Sequence, residues 1–106
     1  MAVRLIALYA TPEDPAAFDA HYRDVHAPII ARYPALASVR LTHPEGVGGR
    51  PAAHHLMAEM SFASRADLNA ALASDAGRDS GRDLRNFASA GVTLFIVDDD
   101  EARTDG

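Results

Sequence analysis

Four short aliphatic runs, two helical stretches between them and Pro- and Gly-rich joints predict an α+β fold. The segments follow in the order β-α-β-β-α-β, the ferredoxin-like arrangement, whose expected product is a four-stranded antiparallel sheet with two helices on one face. The chain has 106 residues, room for one modest core. Apolar residues make up 48% and charged residues 24%, a globular composition and not a disordered one.

Val3 to Tyr9 is rich in aliphatics and predicts the first strand. Asp14 is a good N-cap and Pro15 a good first helical residue, because its missing N–H would be orphaned there anyway. The helix should run to about Tyr33, where Pro34 stops it. Leu36 to Thr42 predicts a second strand, and Pro44, Gly46, Gly48, Gly49 and Pro51 mark a loop. His54 to Phe62 predicts a third strand. Ser64 caps the next helix, with Asp67 at the third position, and that helix should end near Ser74. Asp75 to Ala88 has helical spacing at Leu84 and Phe87 but holds Gly77 and Gly81, so a weaker helix or helical loop is expected. Gly91 breaks it, and Val92 to Val97 is the last strand. Residues 1–97 therefore read as one domain and residues 98–106 as a flexible acidic tail.

Charge is unevenly placed. The net charge is −5, and the tail carries five acidic residues against Arg103, a net −4, which leaves −1 for residues 1–97. A near-neutral body lacks the basic stripe that phosphate binding needs, so no nucleic-acid partner is expected. There is no cysteine, which excludes disulfides, thiolate metal sites and a cysteine nucleophile. All ten basic residues are Arg. No apolar run approaches a membrane span and no signal-peptide pattern opens the chain, so a cytoplasmic protein without a membrane partner is expected.

The strands are apolar on both faces. Val3, Leu5 and Ala7 alternate with Ile6 and Leu8; Val92, Leu94 and Ile96 alternate with Phe95 and Val97; Leu56, Met60 and Phe62 face away from Met57. Two helices cover one face only. The other would expose a larger apolar patch than a monomer usually carries, which predicts a homodimer packed sheet against sheet.

The first helix carries the chemistry. At about 100° per residue, Phe18, Tyr22, Val25, His26, Ile29 and Tyr33 share one stripe facing the sheet. Tyr22 and His26, four residues apart, are neighbours on it. Pro28 cannot donate to the Asp24 carbonyl, so a kink is expected at 24–27, opening a gap beside His26. Two roles stay open for His26. It is a general base or acid facing a ligand, with Tyr22 orienting it or bonding a substrate oxygen. Or it bonds a backbone carbonyl freed by Pro28 and pins the kink.

The spacing of Phe18, Tyr22, His26 and Pro28 within Asp14 to Pro28, F-x-x-x-Y-x-x-x-H-x-P, resembles the signature of the EthD family. Tyr9 at the end of the first strand, Pro34 and Leu36 after the helix, and the late Asn86-Phe87 and Gly91-Val92-Thr93 extend the resemblance from about Val3 to Val97. Ala35 departs from it, standing where the family commonly has Gly after that proline. The resemblance implies a dimeric α+β barrel, in which two ferredoxin-like subunits pack their sheets together. Its wider superfamily holds cofactor-free monooxygenases, lactone isomerases, cyclases and haem enzymes, and the family is named for ether-degradation gene clusters. It raises the expectation of a small hydrophobic ligand and adds Tyr9 to the candidate contacts.

Other constellations are weaker. His54 and His55 point to opposite faces of a strand, and His21 and His26 lie about 140° apart around a helix, so no pair is set to share a metal. Glu59 sits with His55, Met57 and Ser61 on the sheet face opposite Leu56 and Met60, and Arg40 shares a face of the second strand with Ser38 and Thr42. Inside a dimer Arg40 and Glu59 would pair and order water or a ligand; at the rim they would form a surface ion pair, and a mainly structural role is the favoured reading. The loop Glu45 to Arg50 lacks a phosphate-binding pattern, and no G-x-S-x-G elbow is present. The leading expectation is a small cofactor-independent enzyme-like protein of aromatic or xenobiotic metabolism. It would bind an apolar, oxygenated molecule between the first helix and the sheet. His26 moves a proton, Tyr22 bonds the substrate oxygen, and Phe18, Ile29 and Phe87 form the apolar wall. The alternative is a non-catalytic dimeric binding or accessory protein in which His26 and Tyr22 are structural.

Overall fold

A computed structural model describes residues 3–98. Its strands are β1 (Val3–Ala10), β2 (Ser38–Thr42), β3 (His54–Phe62) and β4 (Val92–Asp98), and they form one antiparallel sheet in the order β2-β3-β1-β4. This is the ferredoxin-like α+β fold. The helices are α1 (Pro15–His21), α2 (Ala27–Ile30), α3 (Arg65–Ala73) and α4 (Asp75–Phe87), with a π-helical turn at Tyr22–His26 joining α1 to α2. Among the described residues no helix is long and apolar enough to cross a membrane.

Alternation in the two central strands builds the core. Leu5, Ala7 and Tyr9 of β1 pair with Met60, Ala58 and Leu56 of β3, and all six are buried under the helices. Edge strands β2 and β4 are thinly covered: Leu41 is opposite Ala58 and Leu94 opposite Ala7, yet both remain exposed.

The first helix departs from the expected stripe. Phe18, Tyr22, His26 and Ile30 are buried, whereas Val25 is 43% exposed and Ile29 half-buried. Buried residues recurring every four positions would drift around a regular 3.6-residue helix. The π turn takes up the surplus: the Ala27 N–H reaches back five residues to the Tyr22 carbonyl. The irregularity falls just before Pro28, where the expected kink lay, and it turns Ile30 inward in place of Ile29. Asp14 caps α1 as expected, accepting from the Ala17 N–H at 3.1 Å.

Ser74 has two duties. Its hydroxyl donates to the Ala71 carbonyl at 2.5 Å, closing α3, and accepts from the Gly77 N–H at 3.1 Å, capping α4. The weak helix expected over 75–88 is a continuous helix of 13 residues. Gly77 does not break it: a Cβ there would collide with the Ala71 and Leu72 carbonyls, so glycine lets α4 start tight against α3.

The face without helices carries Arg4, Ile6, Leu8, Met57, Glu59, Phe95 and Val97, and Phe95 is 41% exposed. The expected Arg40–Glu59 pair is replaced: Glu59 Oε1 accepts from Arg4 Nη1 at 2.7 Å, while Arg40, although opposite Glu59 in register, is exposed. His55 also leaves that face. A bulge pairs Tyr9 with Leu56 and Ala10 with His54, so His55 turns toward α1, where Nε2 lies 2.7 Å from Asp19 Oδ1. Ala35 holds a left-handed φ of 58°, which explains why glycine suits that turn. Asp98 ends β4 and its carboxylate accepts from Arg65 at 3.2 Å, so the strand extends one residue into the expected tail. The rest of that tail, 99–106, lies outside the described residues.

Candidate functional site

The site is built where the π turn meets α4. On α4, Ala76, Ser80, Asp83 and Phe87 lie on the buried face, so a carboxylate is carried into the core by helical periodicity. Asp83 is 5% exposed, and three side chains converge on it. His26 Nδ1 lies 2.9 Å from Oδ2, His21 Nε2 lies 2.8 Å from Oδ1, and Asn86 Nδ2 donates to Oδ1 at 3.0 Å. Burial pushes the Asp83 carboxyl upward, but the hydrogen bonds from Asn86, His21 and His26 outweigh it and hold the group below the usual carboxylate value.

An ionised carboxylate only accepts hydrogen bonds, so each imidazole donates to it. His26 therefore carries its proton on Nδ1, which leaves the Nε2 lone pair as its free function. Burial lowers the His26 pKa from its ordinary 6.5, and the neighbouring Asp83 only partly restores it. The ring is neutral at neutral pH. Phe87 fixes both imidazoles by packing, with ring centroids 4.9 Å from His21 and 4.8 Å from His26.

His26 lines a cavity of about 440 Å³ between the helix layer and the sheet. The sheet supplies Leu5, Ala7, Tyr9 and Met60 as floor, and Ile30 and Tyr33 close one side. Ser80 and Leu84 of α4 form the roof, with exposed Gly81 and Leu72, Leu94 and Ile96 towards the β4 edge. The surface is mostly hydrocarbon with few polar groups, the usual constitution of a small-molecule pocket. The Tyr33 hydroxyl lies 2.5 Å from Ser80 Oγ, which in turn donates to the Gly77 carbonyl at 3.0 Å. Tyr9 is 1% exposed, and burial raises its phenol well above the ordinary value.

The candidate residues divide. His26 and Tyr9 share the cavity. Tyr22 touches the His26 ring, with centroids 5.3 Å apart, but lines a separate hollow with Asp19, Leu41 and His43. Burial pushes its phenol up to about 12. Phe18 and Phe87 form an aromatic cluster beside the cavity, 5.1 Å apart, and are not its wall. Ile29 yields its expected place to Ile30 because of the π turn. Arg40 and Glu59 lie across the sheet, away from His26. The expected carbonyl partner of His26 is replaced by Asp83. Sequence reasoning passed over Asp83 and Ser80, although a charged residue on the apolar stripe of α4, seven positions after Ala76, was a readable signal. His21 and His26 do converge, but on a carboxylate; among the described residues no group of three or more His, Asp or Glu side chains is placed to hold a metal ion.

The EthD domain model matches residues 10–91, a span that contains the helix motif, β2, β3 and all of α4. The chain belongs to the EthD family. An uncharacterized 11.0 kDa protein from the thcB-thcC intergenic region of Rhodococcus erythropolis is 34% identical over 97 residues, covering 92% of this chain and 94% of its own. An EthD family protein of Bacillus halodurans superposes with a TM-score of 0.87 at 38% identity, over 93% of this chain and 99% of that one. More distant folds share the architecture alone. SnoaB of Streptomyces nogalater, a cofactor-independent oxygenase, matches with a TM-score of 0.71 at 15% identity over 98% of both chains. A dimeric ferredoxin-like protein of Bacteroides fragilis matches at 0.64 and 10%, over 91% and 94%.

Proposed function

We propose that this EthD protein is a cytoplasmic homodimer that binds a small, apolar, oxygenated molecule of the aromatic or xenobiotic kind in the cavity between helices and sheet. There His26 acts as a general base. One observation carries the reading: a neutral imidazole, oriented by a buried carboxylate, lines an apolar cavity. Nε2 takes a proton from an acidic O–H or activated C–H of the ligand, and Asp83 stabilises the imidazolium that results. The reaction needs no cofactor for that step. The fold shared with a cofactor-independent oxygenase is consistent with such chemistry. Support for the dimer comes from the apolar residues on the helix-free face, Phe95 among them, and from the dimeric fold neighbour.

The test uses ¹⁵N-histidine-labelled protein titrated with 4-ethylphenol. The expected result is a shift of the His26 Nε2 resonance that saturates with binding. Saturable binding with that resonance unmoved would favour the non-catalytic reading, in which His26 serves only the packing of Phe87 and Asp83. No saturable binding would overturn the ligand site itself.

A further inference from the structure

Gly81 is the glycine in α4 that packing does not explain. A Cβ at Gly77 would strike backbone, whereas a Cβ at Gly81 would meet nothing within 4 Å. Mid-helix glycine costs stability relative to alanine, because it has more backbone freedom to lose. Gly81 is also exposed and lines the cavity. Leu72 and Leu94, two of the exposed large apolar residues, line it as well, at 40% and 52% exposure. The polar groups sit at the opposite, buried end: His26 and Tyr9 are 3% and 1% exposed, and Tyr33 and Ser80 are each 6% exposed. The cavity is thus graded, with its hydrogen-bonding groups deep and an open hydrocarbon rim at a position without a side chain.

Building on the proposed ligand site, we infer that Gly81 is a specificity-determining residue. It keeps the mouth between α4 and β4 open for a ligand longer than the cavity. The ligand class is an amphipathic molecule whose oxygenated head reaches His26 and whose hydrocarbon tail passes Gly81 and lies against Leu72 and Leu94. A compact ligand would leave that rim wet and would gain nothing from a bare helix surface there. A tail resting on it removes apolar area from water at both partners.

A series of 4-alkylphenols from 4-ethylphenol to 4-hexylphenol, titrated by calorimetry against the wild-type protein, Gly81→Ala and Gly81→Leu, tests this. In the wild type, affinity should rise about fourfold for each added methylene. Gly81→Leu should weaken 4-hexylphenol by about tenfold or more, and leave 4-ethylphenol within about threefold. Gly81→Ala should raise the melting temperature by about 3–6 °C, since nothing crowds the new methyl. An affinity plateau at the short homologues, the result expected if a second copy of the chain covers the rim, overturns the inference and leaves the ligand site standing. So does equal weakening of all homologues by Gly81→Leu, or a melting temperature lowered by Gly81→Ala. Failure of even 4-ethylphenol to bind the wild type overturns the ligand site and this inference together.

Discussion

His26 Nδ1 and Asp83 Oδ2 lie 2.9 Å apart across 57 residues of sequence, both nearly sealed from water. The contact ties the irregular turn of the first helix to the middle of the last one. It also sets which ring nitrogen faces the cavity. Asp83→Asn keeps the shape but turns an acceptor for three donors into a group that itself donates. A stability loss of about 2–4 kcal/mol is expected in urea denaturation, the scale for breaking a buried charged network. A loss below about 0.5 kcal/mol, the level of an ordinary surface substitution, would show that the three contacts contribute little to the native state.

The pH dependence has a definite sign. The His26 pKa is lowered in the folded state, so between that value and 6.5 the unfolded chain binds a proton that the folded chain refuses. Stability should therefore fall as pH drops below about 6.5, until the folded ring also protonates. Asp83, also held low, adds a further loss in more acidic solution, as pH falls through its folded pKa. Denaturation midpoints measured from pH 8 to pH 2 should show this decline, and His26→Gln should flatten its upper part. A midpoint independent of pH through that range would contradict the burial argument.

The two tyrosines should behave differently. Tyr9 lines the cavity and Tyr22 does not. Tyr9→Phe is expected to weaken 4-ethylphenol binding by about fivefold, the worth of one neutral hydrogen bond, while Tyr22→Phe changes it by less than about twofold. Equal effects would move the ligand out of the cavity assigned to it.

Ala35 stands at a left-handed φ without the freedom of glycine. Ala35→Gly should relieve more strain than it adds in unfolded-chain entropy and stabilise the fold by about 0.5–1 kcal/mol. The melting temperature of that single variant is a sufficient check.

Association should depend on the helix-free face. Phe95, 41% exposed there, becomes a charged intruder in Phe95→Asp. Sedimentation at micromolar concentration should show a dimer for the wild type and the 11.3 kDa chain alone for this variant. A monomeric wild type would remove the homodimer from the proposal.

The architecture was legible because local signals agreed with one another. Asp14, Ser64 and Pro15 mark helix starts by backbone chemistry, and β3 was delimited at both ends by its own pattern. What escaped were features that depend on a deviation from a period or on distant pairing. A stripe drawn at 100° per residue placed Val25 and Ile29 inward, and one extra residue in a turn replaced Ile29 with Ile30. A bulge of one residue moved His55 across the sheet in the same way. Asp83 was overlooked because the two glycines lowered the expectation of a helix around it, and its two histidine partners come from the first helix. Glu59 found its cation on β1 and not on β2, a choice between two neighbouring strands that alternation does not decide.

The π turn is an insertion held in place by its surroundings. Removing one residue, Asp24, would let the first helix close its ordinary hydrogen-bond ladder, a local gain. Side chains beyond the deletion would keep roughly their facing, because the wider turn already takes up most of the extra residue. The step from Tyr22 to the imidazole, however, would fall from four residues to three, shifting His26 along the helix relative to the Asp83 carboxylate. The chain is therefore committed to an imperfect helix, whose surplus residue acts as the spacer that brings a histidine to bear on a hollow it would otherwise miss.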